Sequence, residues 1–299
     1  MAQRGRKRKI NTFPEIKQNI LPLKSDIIFK IVFGDQRNED VLRSFLAAAL
    51  NTPEEQFEEV VVLNPQLEKD YPEDKLGILD VRVLTASGRR IDIEIQLYQQ
   101  VHMPERITFY TCKNLTSQIS SGQSYEDVRQ AITIVILDVE LLADSNAYHH
   151  IFRLYDPYNK IQFTDVIEVH TLELTKLPEV TGRKKPDDRL LDWLRLMKAE
   201  RLEEYEMLAT KSPTLKKTVD ILKKLSSDQK TRLIYDAREK ARMDEIARMR
   251  GSYFQGEQVG IKKGKIEMAQ RLLAEDIDPE IIAKTSGLSL EQVQNLAES

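Results

Sequence analysis

Residues 79–84 and 91–98 alternate apolar and polar side chains strictly on either side of Ala86-Ser87-Gly88. A chain with that pattern is committed to a β-hairpin before anything else about it is decided. With Ser87 at the centre of the turn, Asp80 lies across from Glu94 and Arg82 across from Asp92. Side chains alternate faces along a strand, so Leu79, Val81, Val83, Ile91, Ile93, Ile95 and Leu97 share the core face. Asp80, Arg82, Asp92, Glu94 and Gln96 take the other. Opposed Cβ atoms are about 5 Å apart. Two carboxylates that close repel, and a hard divalent ion held by oxygen is the usual remedy. The alternative is a hairpin with one solvated face, on which Arg82 and Arg90 neutralise the acids. An Asp opposite a Glu is a destabilising choice for such a surface. Asp92 reads as the partner of Arg82. Gln96 can position a water or a phosphate but cannot serve as a base.

The rest of the chain supplies a mixed core around this hairpin. Residues 26–34 precede a helical pattern at 38–50, where Val41, Leu42, Phe45, Leu46, Ala49 and Leu50 recur. Residues 59–64 are a β-branched run that joins the hairpin as a meander. A helix is expected over 105–119, with Gly122 placed to end it. Residues 131–139 form a continuous apolar run, which implies a strand buried on both faces. Two β-like stretches, 148–155 and 166–174, flank Asp156-Pro157-Tyr158-Asn159 and are expected to extend the sheet. A linker at 181–188 leads into helical sequence. There Leu190, Leu191, Leu194 and Met197 make one apolar face with Trp193 beside it, Leu215, Val219, Leu222 and Leu225 make another, and a long charged helix covers 228–250. The expected division is an arm at 1–20, a core at 21–180 and a helical region at 187–299.

Composition narrows the chemistry. Of 299 residues, 41% are hydrophobic and 31% charged, and 45 Lys and Arg nearly balance 48 Asp and Glu, as in a soluble globular protein. No apolar run approaches the roughly 18 residues a membrane span needs, and none follows the basic start, so a cytoplasmic protein without membrane contact is expected. A lone Cys112 excludes an intrachain disulfide and a multi-cysteine metal site, and His102, His149, His150 and His170 lack zinc spacing. Any metal would sit on carboxylates. Arg4, Arg6, Lys7, Arg8 and Lys9 put five cations within six residues, a candidate DNA-phosphate arm or equally a solvated tail.

Asp80, thirteen intervening residues and Glu94-Ile95-Gln96 resemble the D…(E/D)-x-K signature of the PD-(D/E)XK nuclease superfamily, with Gln in the lysine position. The opening Asp26-x-x-Phe29-Lys30-x-x-Phe33-Gly34, the Leu79-Asp80 and Ile93-Glu94-Ile95-Gln96 strands, the Arg106-x-x-x-Tyr110 helix and Gly122-x-x-Tyr125 look like its Rpn branch, the recombination-promoting nucleases grouped with transposases. The resemblance covers roughly residues 21–175. It implies an α/β fold: a restriction-endonuclease-like mixed sheet flanked by helices, with a helical C-terminal extension. It also implies a DNA endonuclease of low sequence specificity, dependent on Mg²⁺ with Mn²⁺ as the alternative ion, and linked to DNA recombination or mobile elements. On that resemblance Asp80, Glu94 and the Ile95 carbonyl bind metal, Gln96 holds the attacking water, and Asp26 adds an acid for a second metal. From its own position Asp26 reads as the N-cap of the turn 27–32. Lys30, Arg106 and Tyr110 are candidate DNA contacts, Arg106 and Tyr110 lying one turn apart on a helical face, although each also suits a surface ion pair or packing. Two other functions stay open: a DNA-binding or transposase-related protein with little cleavage, and a regulatory interaction protein with a purely structural hairpin.

The chain ends as helix, turn, helix over 265–273, 279–284 and 290–296, with Gly287 as a stop and Ser289 as a start. The spacing resembles a helix-turn-helix. Residues 290–298 carry two acids and no cation, however, and phosphate repulsion makes them a poor groove reader. Packing, or a homo-oligomer formed through these helices, is the expected role.

Overall fold

The computed structural model describes residues 20–63, 80–179 and 188–297. In chain order the first elements are α1 (Asp26–Phe33), α2 (Glu39–Ala49), β1 (Val60–Leu63), β2 (Val81–Thr85), β3 (Arg90–Gln96) and α3 (Met103–Thr116). Then follow β4 (Ala131–Leu137), β5 (His149–Tyr155) and β6 (Gln162–Glu173). Helices α4 (Arg189–Lys198), α5 (Leu202–Ala209), α6 (Pro213–Ser227), α7 (Gln229–Ala274), α8 (Pro279–Ser286) and α9 (Leu290–Ala297) follow among the described residues. The strands make one six-stranded sheet in the order β1-β2-β3-β4-β6-β5. The expected meander is present as two antiparallel pairs, while β3, β4 and β6 run parallel and β5 returns antiparallel at the edge. This mixed sheet with flanking helices is the restriction-endonuclease-like architecture anticipated above.

Register follows from the alternation. Arg82 faces Asp92 and Val81 faces Ile93, while Gly88 turns the hairpin at φ +82°, where a glycine carries no Cβ penalty. Across the parallel pair, Ile91, Ile93 and Ile95 align with Ile132, Ile134 and Ile136, and all seven residues of β4 are buried. The opposite face is not solvated. Helix α3 lies on it, packing Met103 and Ile107 against Val135 and Leu137, and the Thr111 and Thr133 hydroxyls meet at 2.7 Å. Arg82, Asp92 and Glu94 are consequently only 8%, 2% and 4% exposed. Helix α3 also stops at Thr116, short of Gly122, whose φ of +89° belongs to a separate turn.

Helices α1 and α2 contribute Phe29, Phe33 and Phe45 to the core, and α4 closes on them. Trp193 sits with its ring 5.8 Å from Phe33 and 6.0 Å from Phe45, so it belongs to the buried stripe of α4 rather than beside it, while Leu191 is only half-buried. Asp26 is the first residue of α1, and the cap position is Ser25. The Asp26 carboxylate accepts the Ile27 N–H at 2.9 Å instead.

The chain divides into two compact units, Met1–Arg232 and Leu233–Ser299. Because α4 and α6 pack on α2, the helices up to residue 232 share the first unit with the sheet, and this division does not coincide with the one expected after residue 180. In the second unit Ala269, Ile282 and Val293 form a small core at the end of α7 and on α8 and α9. Gly287 ends α8 in the left-handed conformation, and Ser289 and Gln292 exchange hydrogen bonds of 3.2 and 2.9 Å as a reciprocal N-terminal cap. Helix α7 is 46 residues long, well beyond the charged run expected. No helix among the described residues is long and apolar enough to cross a membrane. Arg4, Arg6, Lys7, Arg8, Lys9, Leu79 and the linker at 181–187 lie outside the described residues.

Candidate active site

Asp80 immediately precedes β2, and two groups hold its carboxylate. Oδ2 accepts the Ile95 N–H at 2.8 Å, and Oδ1 lies 3.1 Å from the Lys30 ammonium on α1. Glu94 projects from β3, one residue before Ile95. Gln96 approaches it, with Nε2 3.5 Å from Glu94 Oε2, and Gln96 Oε1 in turn accepts from Gln100 at 3.2 Å. The side-chain amide of Gln96 is therefore oriented from both ends. On α3 the Arg106 guanidinium lies over the Tyr110 ring, 5.2 Å from its centroid, so the two share a helical face.

Electrostatics set this cluster apart. Burial pushes Glu94 up to about 6, against the pull of Arg106 and with the Asp80 charge adding to the rise. Burial also raises Asp80, opposed by the Ile95 N–H and by Lys30, with the Asp26 charge on α1 adding to the rise. Asp92 is pushed up to about 7, again chiefly by burial, although Arg82 lies at ion-pair distance, 3.5 Å. Two neighbouring carboxylates that resist ionisation gain most from a nearby cation. Among the described residues no group of three or more His, Cys, Asp or Glu stands ready to hold a metal alone. A pair of carboxylates suits a hard divalent ion that keeps several waters of its own.

Three nearby residues, Lys24, Gln100 and Asp138, escape a reading of the sequence alone. Asp138 follows β4, its N–H donates to the Gln96 carbonyl at 2.9 Å, and its carboxylate pairs with Lys24 at 2.9 Å. Gln100 holds Gln96. A signal for Asp138 is present in the sequence, since it interrupts the end of an apolar run whose carboxyl end neighbours that of β3, the usual place for ligands in parallel sheets.

The family model for PD-(D/E)XK nuclease family transposases matches residues 23–252. The chain belongs to this family. No curated protein and no solved structure matches it. The span matched to the nuclease-family transposases begins just before α1 and includes Asp26, Lys30, Asp80, Glu94, Ile95, Gln96, Arg106 and Tyr110. It ends within α7, so α8 and α9 fall beyond it.

Proposed function

We propose that this nuclease-family transposase is a Mg²⁺-dependent DNA endonuclease of low sequence specificity, of the Rpn branch, working in the cytoplasm in DNA recombination or mobile-element biology. The observation that carries this reading is the pair formed by half-buried Asp80 and buried Glu94, referenced to β3 and flanked by Lys30 and Arg106. Asp80, Glu94 and the Ile95 carbonyl would hold the ion, with Asp26 available to a second one. When bound, such an ion acidifies water and stabilises the charge gained at phosphorus. Gln96 orients the water that attacks, its amide fixed by Gln100. Lys30, Arg106 and Tyr110 face the DNA backbone on either side of the acids, and the cations offset phosphate charge there. Incubating supercoiled plasmid with the protein, with and without Mg²⁺ or Mn²⁺ and beside Asp80→Ala, tests the reading. Metal-independent retention of intact plasmid would replace it with a DNA-binding, non-cleaving protein.

Gln96→Ala is expected to slow cleavage by about 10–100-fold, the usual effect of a supporting group. Gln96→Lys should keep more activity than Gln96→Glu, because a third carboxylate adds repulsion beside the pair. Single-turnover rates check the order, and equal loss in the Lys and Glu proteins would count against Gln96 occupying the lysine position.

The basic arm is expected to add electrostatic affinity without taking part in chemistry. Deleting residues 1–9 should flatten the log–log salt dependence of DNA binding by about 0.9 for each phosphate the arm had neutralised, and leave the cleavage rate at saturating protein unchanged. Binding isotherms across a salt series decide the matter. An unchanged slope would place the phosphate-binding cations elsewhere.

A further inference from the structure

Strand β5 is the last in the sheet, paired with β6 on one side. Exposed edge strands are normally protected by proline, lysine or an inward-pointing charge, because their free N–H and C=O groups template further pairing. The sequence of β5, His-His-Ile-Phe-Arg-Leu-Tyr, contains no proline and no lysine, and its bulge-like irregularity, another form of protection, is confined to the end at Arg153–Tyr155. Its single cation, Arg153, is tied to Glu168 of its own chain at 2.6 Å. The hairpin made by β5 and β6 also carries Phe152, Leu154, Tyr155, Tyr158, Ile161 and Phe163 exposed, Tyr158 and Phe163 by 91% and 85%. Scaled by exposure, these six side chains present on the order of 700 Å². Phe152 and Leu154 lie on one face of β5 and Tyr155 on the other, and the total over both faces is comparable to the roughly 800 Å² per partner of a stable interface.

We propose that β5 pairs antiparallel with β5 of a second copy about a two-fold axis through Ile151, joining two six-stranded sheets into one. The strand is regular from His149 to Arg153, and its first irregularity falls between Arg153 and Leu154, so Ile151 is the centre of the usable edge. In that register Ile151 meets its own copy, His150 meets Phe152, and His149 meets Arg153. His150 and Phe152 already stack within one chain, ring centroids 6.3 Å apart and 26° between planes, and the pairing sets two such stacks side by side. No like charges are opposed. His149 opposite Arg153 is held neutral by burial and by its histidine neighbours, its pKa lowered to about 4, and Arg153 keeps Glu168. Helix α7 is the weaker candidate for self-association, because its apolar residues are spread around the helix instead of forming a stripe.

Sedimentation and light scattering of the full chain, without DNA, test this with wild type, Ile151→Lys, Ile151→Glu and an equimolar mixture of the two variants. Wild type should show twice the 34.6 kDa chain mass at low micromolar concentration. Each variant alone should self-associate at least about 100-fold more weakly, because like charges are brought face to face on the axis. The mixture should recover a dimer, because Lys then faces Glu. Ile151 is exposed enough for circular dichroism to remain unchanged in both. Should either variant unfold, the double replacement Tyr158→Ser and Phe163→Ser at the exposed tip takes its place, with at least about 10-fold weaker association expected from the smaller apolar area. A wild type that stays monomeric at about 100 µM overturns the proposal. So does a dimer that every variant retains, which would put the interface on another surface such as the C-terminal helices, and so does a mixture that associates no better than its components.

Discussion

Glu94→Gln and Asp80→Asn should each reduce DNA cleavage at least about 10³-fold, beyond the roughly 10–100-fold expected of a supporting residue. The same Glu94→Gln protein, free of metal, should also be the more stable one at pH 7.5 and no more stable at pH 4. In the folded state Glu94 titrates near 6, against an ordinary value of 4.5. Between those values the native protein keeps a proton that the unfolded chain has released, so the contribution of Glu94 to stability falls as pH rises through that window. Above it the destabilisation is complete, on the order of 2 kcal/mol, and below it both states are protonated and no difference remains. Glutamine is neutral throughout. The melting temperature of the variant should therefore exceed that of wild type by about 4–8 °C at pH 7.5, with the gap closing towards pH 4. Relief of Asp92, whose ionisation Glu94 opposes, acts in the same direction, while His149 titrates alike in both proteins. Thermal melts at the two pH values beside plasmid nicking make the measurement. Cleavage at the wild-type rate, or no gain at pH 7.5, would remove Glu94 from the site.

Asp92→Ala is expected to cost about 1–3 kcal/mol, because it removes a buried polar group that lies 3.5 Å from the Arg82 guanidinium. Asp92→Asn keeps the shape and a polar acceptor and, because burial already pushes the Asp92 carboxyl up to about 7, should cost little at pH 7.5. Replacing both partners, Arg82→Met with Asp92→Leu, should recover much of the stability, since a buried ion pair often does no better than apolar groups of similar volume. Urea midpoints at constant slope report these differences. If Asn is as damaging as Ala, it is the charge of the carboxylate, and not its shape or its acceptor, that carries the interaction.

The register of the hairpin that carries the candidate site is legible in the sequence because it is written in one local pattern. Alternation on both sides of Ser87 dictates which residues oppose one another, and Arg82 does face Asp92. What alternation cannot reveal is what lies above a polar face. The cover from α3 depends on Met103 and Ile107 and then on a hydroxyl pairing between Thr111 and Thr133, and a threonine pair leaves no mark on hydrophobic periodicity. Trp193 reads as lying beside the buried stripe of α4 because the leucines alone define a face slightly rotated from the one that packs on Phe33 and Phe45. Lys24 and Asp138 are 114 positions apart, and nothing local announces a pair that only the folded sheet brings together. The apolar run at β4, by contrast, is readable as a strand buried on both faces, because no charged position interrupts it before Asp138.

Asp80 stands outside the ladder of β2, yet its carboxylate is hydrogen-bonded to the backbone of β3 one residue beyond Glu94. Both acids therefore take their position from the same strand. The separation between them is tied to one peptide unit rather than to the route by which the chain arrives at Asp80. Insertions or deletions ahead of that residue leave the spacing of the pair intact, whereas a shift of one residue within 90–96 would dismantle it. Length is thus free to drift on one side of the turn and is held under tight constraint on the other, an asymmetry that divergent copies of this gene should carry in their alignments.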